Sequence, residues 1–127
     1  KSATVYEYTV RAYCTVDKKT VASSYRSSGT YKSAPSRQTV SSVSNTKKGL
    51  NLKWKAQKKC HGYYIYKKTG SGKYKLTTTT KKGKTSTWTD TKVKKGKKYR
   101  YYVRAYVKEP NGVVKGKYKA SAAVTRK

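Results

Sequence analysis

The sequence has almost no acid. Glu7, Asp17, Asp90 and Glu109 stand against 33 lysines and arginines in 127 residues, a formal net charge of +29. No two of these carboxylates lie close in sequence, so there is no pair for general acid–base work. The one histidine, His61, has no Ser or Cys partner with a third orienting group; Cys60 beside it is chain adjacency, which does not make a dyad. Asp90 follows Trp88-Thr89 at a strand end, where an Asp usually anchors a turn. Catalytic residues are therefore not expected, and neither are cofactors. Metal binding is not expected either, because Cys14, Cys60 and His61 lack a fourth ligand and any usual zinc spacing. Two cysteines are too few for a disulfide framework. No run of ~18 apolar residues exists, so no membrane span is expected. The chain opens at Lys1-Ser2-Ala3-Thr4 without a signal-peptide pattern or an initiating Met, which fits a processed or excised segment. Gly70-Ser71-Gly72-Lys73 and Lys82-Gly83-Lys84 precede no helical pattern, so they are expected to be hairpin turns rather than helix-backed phosphate loops.

What the sequence does have is an internal echo. Tyr6-Glu7-Tyr8-Thr9-Val10-Arg11-Ala12-Tyr13 returns 93 positions later as Tyr99-Arg100-Tyr101-Tyr102-Val103-Arg104-Ala105-Tyr106, and the register holds through Val21/Val114 and Tyr25/Tyr118. A fixed offset over matched apolar and turn positions marks a repeated structural unit. A unit of that size is one small β-sandwich, and 127 residues cannot hold two. The expected organisation is the C-terminal hairpin of one repeat (1–36) followed by one complete module (37–127), as if cut from an array.

Strands follow from period-2 alternation between turn residues. A first strand lies near Gln38 to Ser44. Leu50, Leu52 and Trp54 alternate with Asn51, Lys53 and Lys55. Tyr63 and Ile65 alternate with Tyr64 and Tyr66, and Tyr74 and Leu76 with Lys73, Lys75 and Thr77. A short strand ends at Trp88. The longest strand places Tyr99, Tyr101, Val103, Ala105 and Val107 on one face, and Pro110-Asn111-Gly112 turns it into a last strand from Val113 to Val124. Seven short strands with frequent turns predict an all-β, antiparallel immunoglobulin-like sandwich. The 14 tyrosines and two tryptophans at alternating positions argue against the disorder that such charge otherwise suggests.

Leu52-Lys53-Trp54, Gly62-Tyr63-Tyr64-Ile65-Tyr66 and the run from Val93 through Gly96 and Tyr99 to Tyr106 resemble the fibronectin type III pattern. In that family a Trp of the second strand packs in the core, Gly-Tyr opens the third, and an apolar-x-x-Gly-x-x-Tyr turn sets a tyrosine corner before the sixth. The resemblance implies structural roles for Trp54, Trp88 and Tyr99, with Tyr6 as the counterpart of Tyr99 in the first unit. The Lys-rich form is similar to repeats of secreted and cell-wall-associated proteins of Gram-positive bacteria, which implies a secreted or cell-surface location. No Arg-Gly-Asp tripeptide is present.

The charge is lopsided. Residues 1–36 hold six basic and two acidic side chains (+4), and residues 37–127 hold 27 and two (+25). Only six of the basic residues are Arg. Lys acts as a mobile point charge, whereas Arg suits bidentate, planar recognition, so diffuse contact with a polyanion is expected rather than base reading. The expected partner is an anionic cell-wall polymer such as teichoic acid, or an acidic glycan. Nucleic acid is expected to bind only non-specifically, and a membrane-active role lacks its amphipathic helix. With Tyr99, Tyr101 and Val103 inward, Tyr102 and Tyr106 point outward beside Arg100 and Arg104, next to Tyr64, Tyr66 and Lys68 of the neighbouring strand. These seven residues form the candidate polyanion or glycan face, because rings stack sugars or bases while cations hold phosphates. The alternative is cross-strand packing of Tyr with Lys stems.

Residues 1–36 predict a hairpin, Val5 to Val16 against about Val21 to Tyr31, with Tyr6, Tyr8, Val10, Ala12 and Cys14 on one face. A lone hairpin is marginal in water. Its face is expected to assemble with a complementing chain or with another copy of this one; packing back on residues 38–127 of the same chain and an extended arm are the alternatives. Cys14 takes the place of Val107 in the offset and is read as a small buried hydrophobe. A disulfide to Cys60 is the alternative and requires the two units to touch.

Overall fold

The computed structural model describes residues 4–22, 26–110 and 112–127; Tyr25, the offset partner of Tyr118, and Asn111 of the last turn lie outside them. The described residues are all-β, with no helix. The first described strands form a two-stranded ribbon made of β1 (Val5–Val10), β2 (Tyr13–Val16), β3 (Lys19–Ala22) and β4 (Arg26–Lys32). Asp17 and Lys18 connect β2 to β3 with φ of 48° and 62°. Left-handed backbone at both turn positions suits the right-handed twist of a tight hairpin. β1 lies antiparallel on β4, with Tyr6 opposite Tyr31. The base is closed by Ser33 N donating to Thr4 O and Thr4 N donating to Ser33 Oγ, each at 2.9 Å.

The remaining strands are β5 (Gln38–Thr46), β6 (Gly49–Trp54), β7 (Gly62–Thr69), β8 (Lys75–Thr80), β9 (Thr87–Asp90), β10 (Lys98–Glu109), β11 (Gly112–Lys115), β12 (Tyr118–Lys119) and β13 (Val124–Thr125). One sheet runs β12-β5-β6-β9; the other runs β11-β10-β7-β8, with β13 also on β10. Among the described residues, every pairing is antiparallel except β12 on β5. The two sheets pack face to face as an all-β, immunoglobulin-like sandwich.

The single last strand expected over Val113 to Val124 is instead three pieces. β11 leaves β10, the chain crosses at Gly116 to pair Tyr118 with Gln38 of β5, and β13 returns to β10 opposite Lys98 and Tyr99. Gln38 N donates to Lys117 O at 2.9 Å, so the crossing occupies backbone groups that would otherwise line an open sheet edge.

The echo in sequence is also an echo in register. Tyr13 faces Ala22 as Tyr106 faces Lys115, and Cys14 faces Val21 as Val107 faces Val114. At the other end, Tyr6 faces Tyr31 as Tyr99 faces Val124. The ribbon differs in two respects. β4 stays paired with β1, whereas the second unit's strand departs toward β5. The first ribbon also breaks at Arg11-Ala12, while the matching Arg104 and Ala105 continue as strand on β7.

The core forms where the inward rows of both sheets meet. Leu50, Leu52 and Trp54 of β6 pack with Tyr63 and Ile65 of β7 and with Tyr99, Tyr101, Val103 and Ala105 of β10, while Val43, Trp88, Val93 and Val124 close its rim. Each fully buried Leu or Ile side chain contributes about 1.5–3 kcal/mol of transfer free energy. Tyr99 is buried and its hydroxyl accepts the Lys94 backbone N–H at 2.9 Å, which pins the turn before β10. Leu76, expected inward, is 52 % exposed. A register shift between Ile65 and Tyr66 sets Leu76 opposite Tyr66, so it shares the outer face with that ring.

One polar cluster crosses the interior. Asp90, at the end of β9, is buried and its Oδ2 takes an ion pair from Lys67 Nζ of the opposite sheet at 2.8 Å and a hydrogen bond from the Tyr101 hydroxyl at 2.9 Å. Its Oδ1 accepts Lys92 N at 2.9 Å, the turn-anchoring bond read from the sequence.

Candidate functional site

The candidate face is built by the pairing of β7 with β10. Register places Tyr66 opposite Tyr102, Tyr64 opposite Arg104, and Lys68 opposite Arg100. All seven residues singled out in the sequence therefore lie on one side of one sheet. Their exposure is another matter. Tyr102 is 8 % exposed and Tyr106 only 3 %, although both lie on the outer face. The expectation that they present open rings is corrected by what covers them. Tyr118 of β12 stacks on Tyr102 at 3.7 Å between centroids, Tyr66 stacks on it at 4.5 Å, and Tyr74 leans on it at 4.8 Å. Tyr106 is covered by Tyr64 at 4.6 Å, and its hydroxyl donates to Thr80 O at 3.1 Å across Gly62. A Cβ at Gly62 would sit 2.0 Å from Thr80 O and 2.9 Å from the Tyr106 hydroxyl, so the absence of a side chain there lets the ring close down. A ring enclosed in this way offers no face to a sugar or a base.

Burial has a chemical consequence. It pushes the Tyr102 hydroxyl up to about 12, with the neighbouring Tyr118 and Tyr66 adding and Arg104 opposing. Tyr106 is raised as well, by burial first and then by Tyr64 and Cys60. Inside the core, burial raises Tyr63 and Tyr101, helped by Cys60 and Asp90 respectively. The hydroxyls of Tyr63, Tyr101 and Tyr106 donate to Gly83 O, Asp90 Oδ2 and Thr80 O.

What stays accessible is a rim of cations. Arg104 Nε donates to Gly116 O at 2.9 Å, and its guanidinium lies over the Tyr118 ring at 5.7 Å. Lys68 lies over Tyr74 at 5.9 Å and Lys115 over Tyr64 at 5.1 Å. Arg100 is exposed directly opposite Lys68, a like-charge cross-strand pair that repels. Tyr118, 41 % exposed, is the ring of this cluster most open to solvent. Tyr74, Lys115 and Tyr118 were not among the residues read from the sequence. Their membership depends on the bulge in β7–β8 and on the crossing to β5, neither of which leaves an alternation signal.

The hairpin residues fare differently from their β10 counterparts. Tyr6 is 38 % and Tyr8 57 % exposed, stacked on each other at 6.3 Å. Ala12 is exposed, and the Val10 side chain lies outside the described part of the ribbon. Cys14 is exposed and unpaired in disulfide terms, as is the half-buried Cys60. Cys14 is thus neither the buried hydrophobe nor the bridge partner expected, because the ribbon lacks the second sheet that buries Val107. Cys60 Sγ donates to Gln57 O at 3.4 Å, and His61 Nδ1 accepts Lys108 N–H at 3.1 Å, so both serve the entry to β7. Trp54 lies in the core and Trp88 at its rim. Among the described residues, no group of three or more His, Cys, Asp or Glu comes together, and no helix is long and apolar enough to cross a membrane.

No protein-family model matches the chain. No curated protein matches it either. Among solved structures, the chain is similar to the FN1–FN3 domains of chicken CNTN1, with 17 % identity and a TM-score of 0.45 over 92 % of this chain. It spans 42 % of that structure's length.

Proposed function

We propose that this chain is a non-catalytic, cationic repeat module of a secreted or surface-displayed protein, spacing or anchoring its neighbours and holding anionic polymers through its lysines. One observation carries it: 27 basic residues against two carboxylates in residues 37–127, with Asp90 buried beneath the surface. The outward field is therefore almost uniformly positive. The like-charge pair Arg100 and Lys68 supports the same reading, because a bound anion relieves its repulsion. The mechanism is polyelectrolyte: each neutralised phosphate or carboxylate releases a condensed counterion, so affinity falls steeply with salt. The wall polymers of Gram-positive bacteria and acidic glycans are the partners of matching chemistry. The ribbon of residues 4–32 continues the module upstream and serves self-assembly or complementation through Tyr6, Tyr8 and Cys14.

The test is retention of the whole chain on immobilised teichoic acid as salt rises to about 0.5 M. Strong retention at low salt with a steep linear fall in log affinity against log salt is expected. Salt-independent or absent retention overturns the proposal. Nucleic acid serves as comparator, and sequence preference at physiological salt would favour a nucleic-acid function instead.

A further inference from the structure

At the end of the sandwich where β7 turns into β8 and the chain enters β10, there is an open basin of about 490 Å³. Five lysines line it, Lys67, Lys92, Lys94, Lys97 and Lys98, together with the Gly70-Ser71 turn and Tyr99. Among the described residues no carboxylate lines it. Lys67 is held at its inner wall by Asp90 Oδ2 and by Lys92 O at 2.9 Å. The other four are exposed.

The walls are fixed in place. Gly70 N donates to Lys98 O at 2.9 Å, Gly96 N to Arg126 O at 2.8 Å and Arg126 N to Lys97 O at 3.0 Å. The Tyr99 hydroxyl holds Lys94 N. The chain thus places four exposed lysines around one concavity whose backbone is tied by these hydrogen bonds. Such an arrangement is costly when empty and is relieved by a dense anion. In the first unit the offset puts Thr4 and Val5 where Lys97 and Lys98 stand, so these two lysines of the basin have no cationic counterpart there.

We propose that this basin is a discrete binding site for adjacent phosphate groups, as in a condensed phosphate or along a phosphodiester polymer. The chemistry favours phosphate over carboxylate. Lysine binds phosphate as a point charge, and adjacent phosphate groups bring a denser negative charge to the four exposed ammonium groups than carboxylates do. The site differs from a helix-backed phosphate loop in using ammonium groups rather than aligned backbone N–H groups. The inference rests on the polyanion reading above and gives it a location separate from the tyrosine face.

The test compares two triple variants of equal charge loss in the whole chain: Lys94→Gln/Lys97→Gln/Lys98→Gln in the basin, and Lys47→Gln/Lys53→Gln/Lys119→Gln elsewhere. Titration with tripolyphosphate, and in a second arm with poly(glycerol phosphate), is followed by calorimetry and by backbone amide shifts. The expected result is saturable binding with shifts at residues 69–71 and 92–98. Affinity should be at least about ten-fold weaker in the basin variant and no more than about three-fold weaker in the other. Response to tripolyphosphate alone marks a condensed phosphate as the ligand, and response to both marks a phosphodiester chain. Equal weakening in the two variants overturns the basin while leaving diffuse polyanion binding standing. No binding by the unmodified chain overturns both.

Discussion

Asp90 shows how much a single acid matters in a chain this basic. Its two oxygens serve Lys67, Tyr101 and the Lys92 backbone, and so join β9 of one sheet to β7 and β10 of the other. A buried ion pair adds little over an apolar substitute, but removing one partner strands the other. Asp90→Ala is therefore expected to destabilise the fold by about 3 kcal/mol. Tyr101→Phe, which removes one donor and leaves the Asp90–Lys67 pair, should cost about 1 kcal/mol. Urea unfolding measures both; an Asp90→Ala loss no larger than that of Tyr101→Phe would show the pair to be dispensable. The sequence marked Asp90 as a turn anchor. The ion pair with Lys67 was not legible, because the two residues are 23 positions apart and meet only when the sheets stack.

At the scale of elements, the informative comparison is between the ribbon and β10 with its partners. Matching positions in the same register give exposed Tyr6, Tyr8 and Cys14 in one place and buried Tyr99, Tyr101 and Val107 in the other. Alternation therefore specifies a face, and a second sheet decides whether the face is buried. Pro35 is buried, with its carbonyl and that of Ser36 close to Gly116, so the sandwich is expected to need the chain from about that point onward. Deleting residues 1–32 should leave the unfolding midpoint within about 3 °C of the full chain. It should also abolish any concentration-dependent association seen by sedimentation. A monodisperse monomer with and without the ribbon would remove self-assembly through it, and a large fall in midpoint would mean that the ribbon belongs to the sandwich.

For the whole molecule, the tyrosines set a limit on alkaline stability. Tyr63, Tyr101, Tyr102 and Tyr106 all hold their protons to higher pH than an exposed Tyr, chiefly through burial. The unfolded chain releases those protons first, from about pH 10. The folded state is then the one with more bound protons, so its stability is complete below about pH 10 and falls as pH rises toward the raised values, about 12 for Tyr102. The denaturant midpoint should be unchanged between about pH 7 and pH 9 and drop above about pH 10. Run at about 0.5 M salt, the measurement suppresses changes in surface self-repulsion. Tyr102→Phe should make the drop shallower, and a midpoint that holds level through this range would contradict the burial of these hydroxyls.

The sequence by itself determined the all-β class, the core rows at Leu50-Leu52-Trp54, Tyr63-Ile65 and Tyr99 through Val107, the repeat offset and the cationic surface. These follow from local quantities: alternation along a strand, turn residues at its ends and a count of charges. Only the tertiary structure decided that Tyr102 and Tyr106 are covered, that the last strand divides between two sheets, that Leu76 faces outward and that five lysines surround one basin. Each of these depends on which strands become neighbours. A bulge or a crossing of a few residues changes those neighbours without changing the local pattern from which the strands were read.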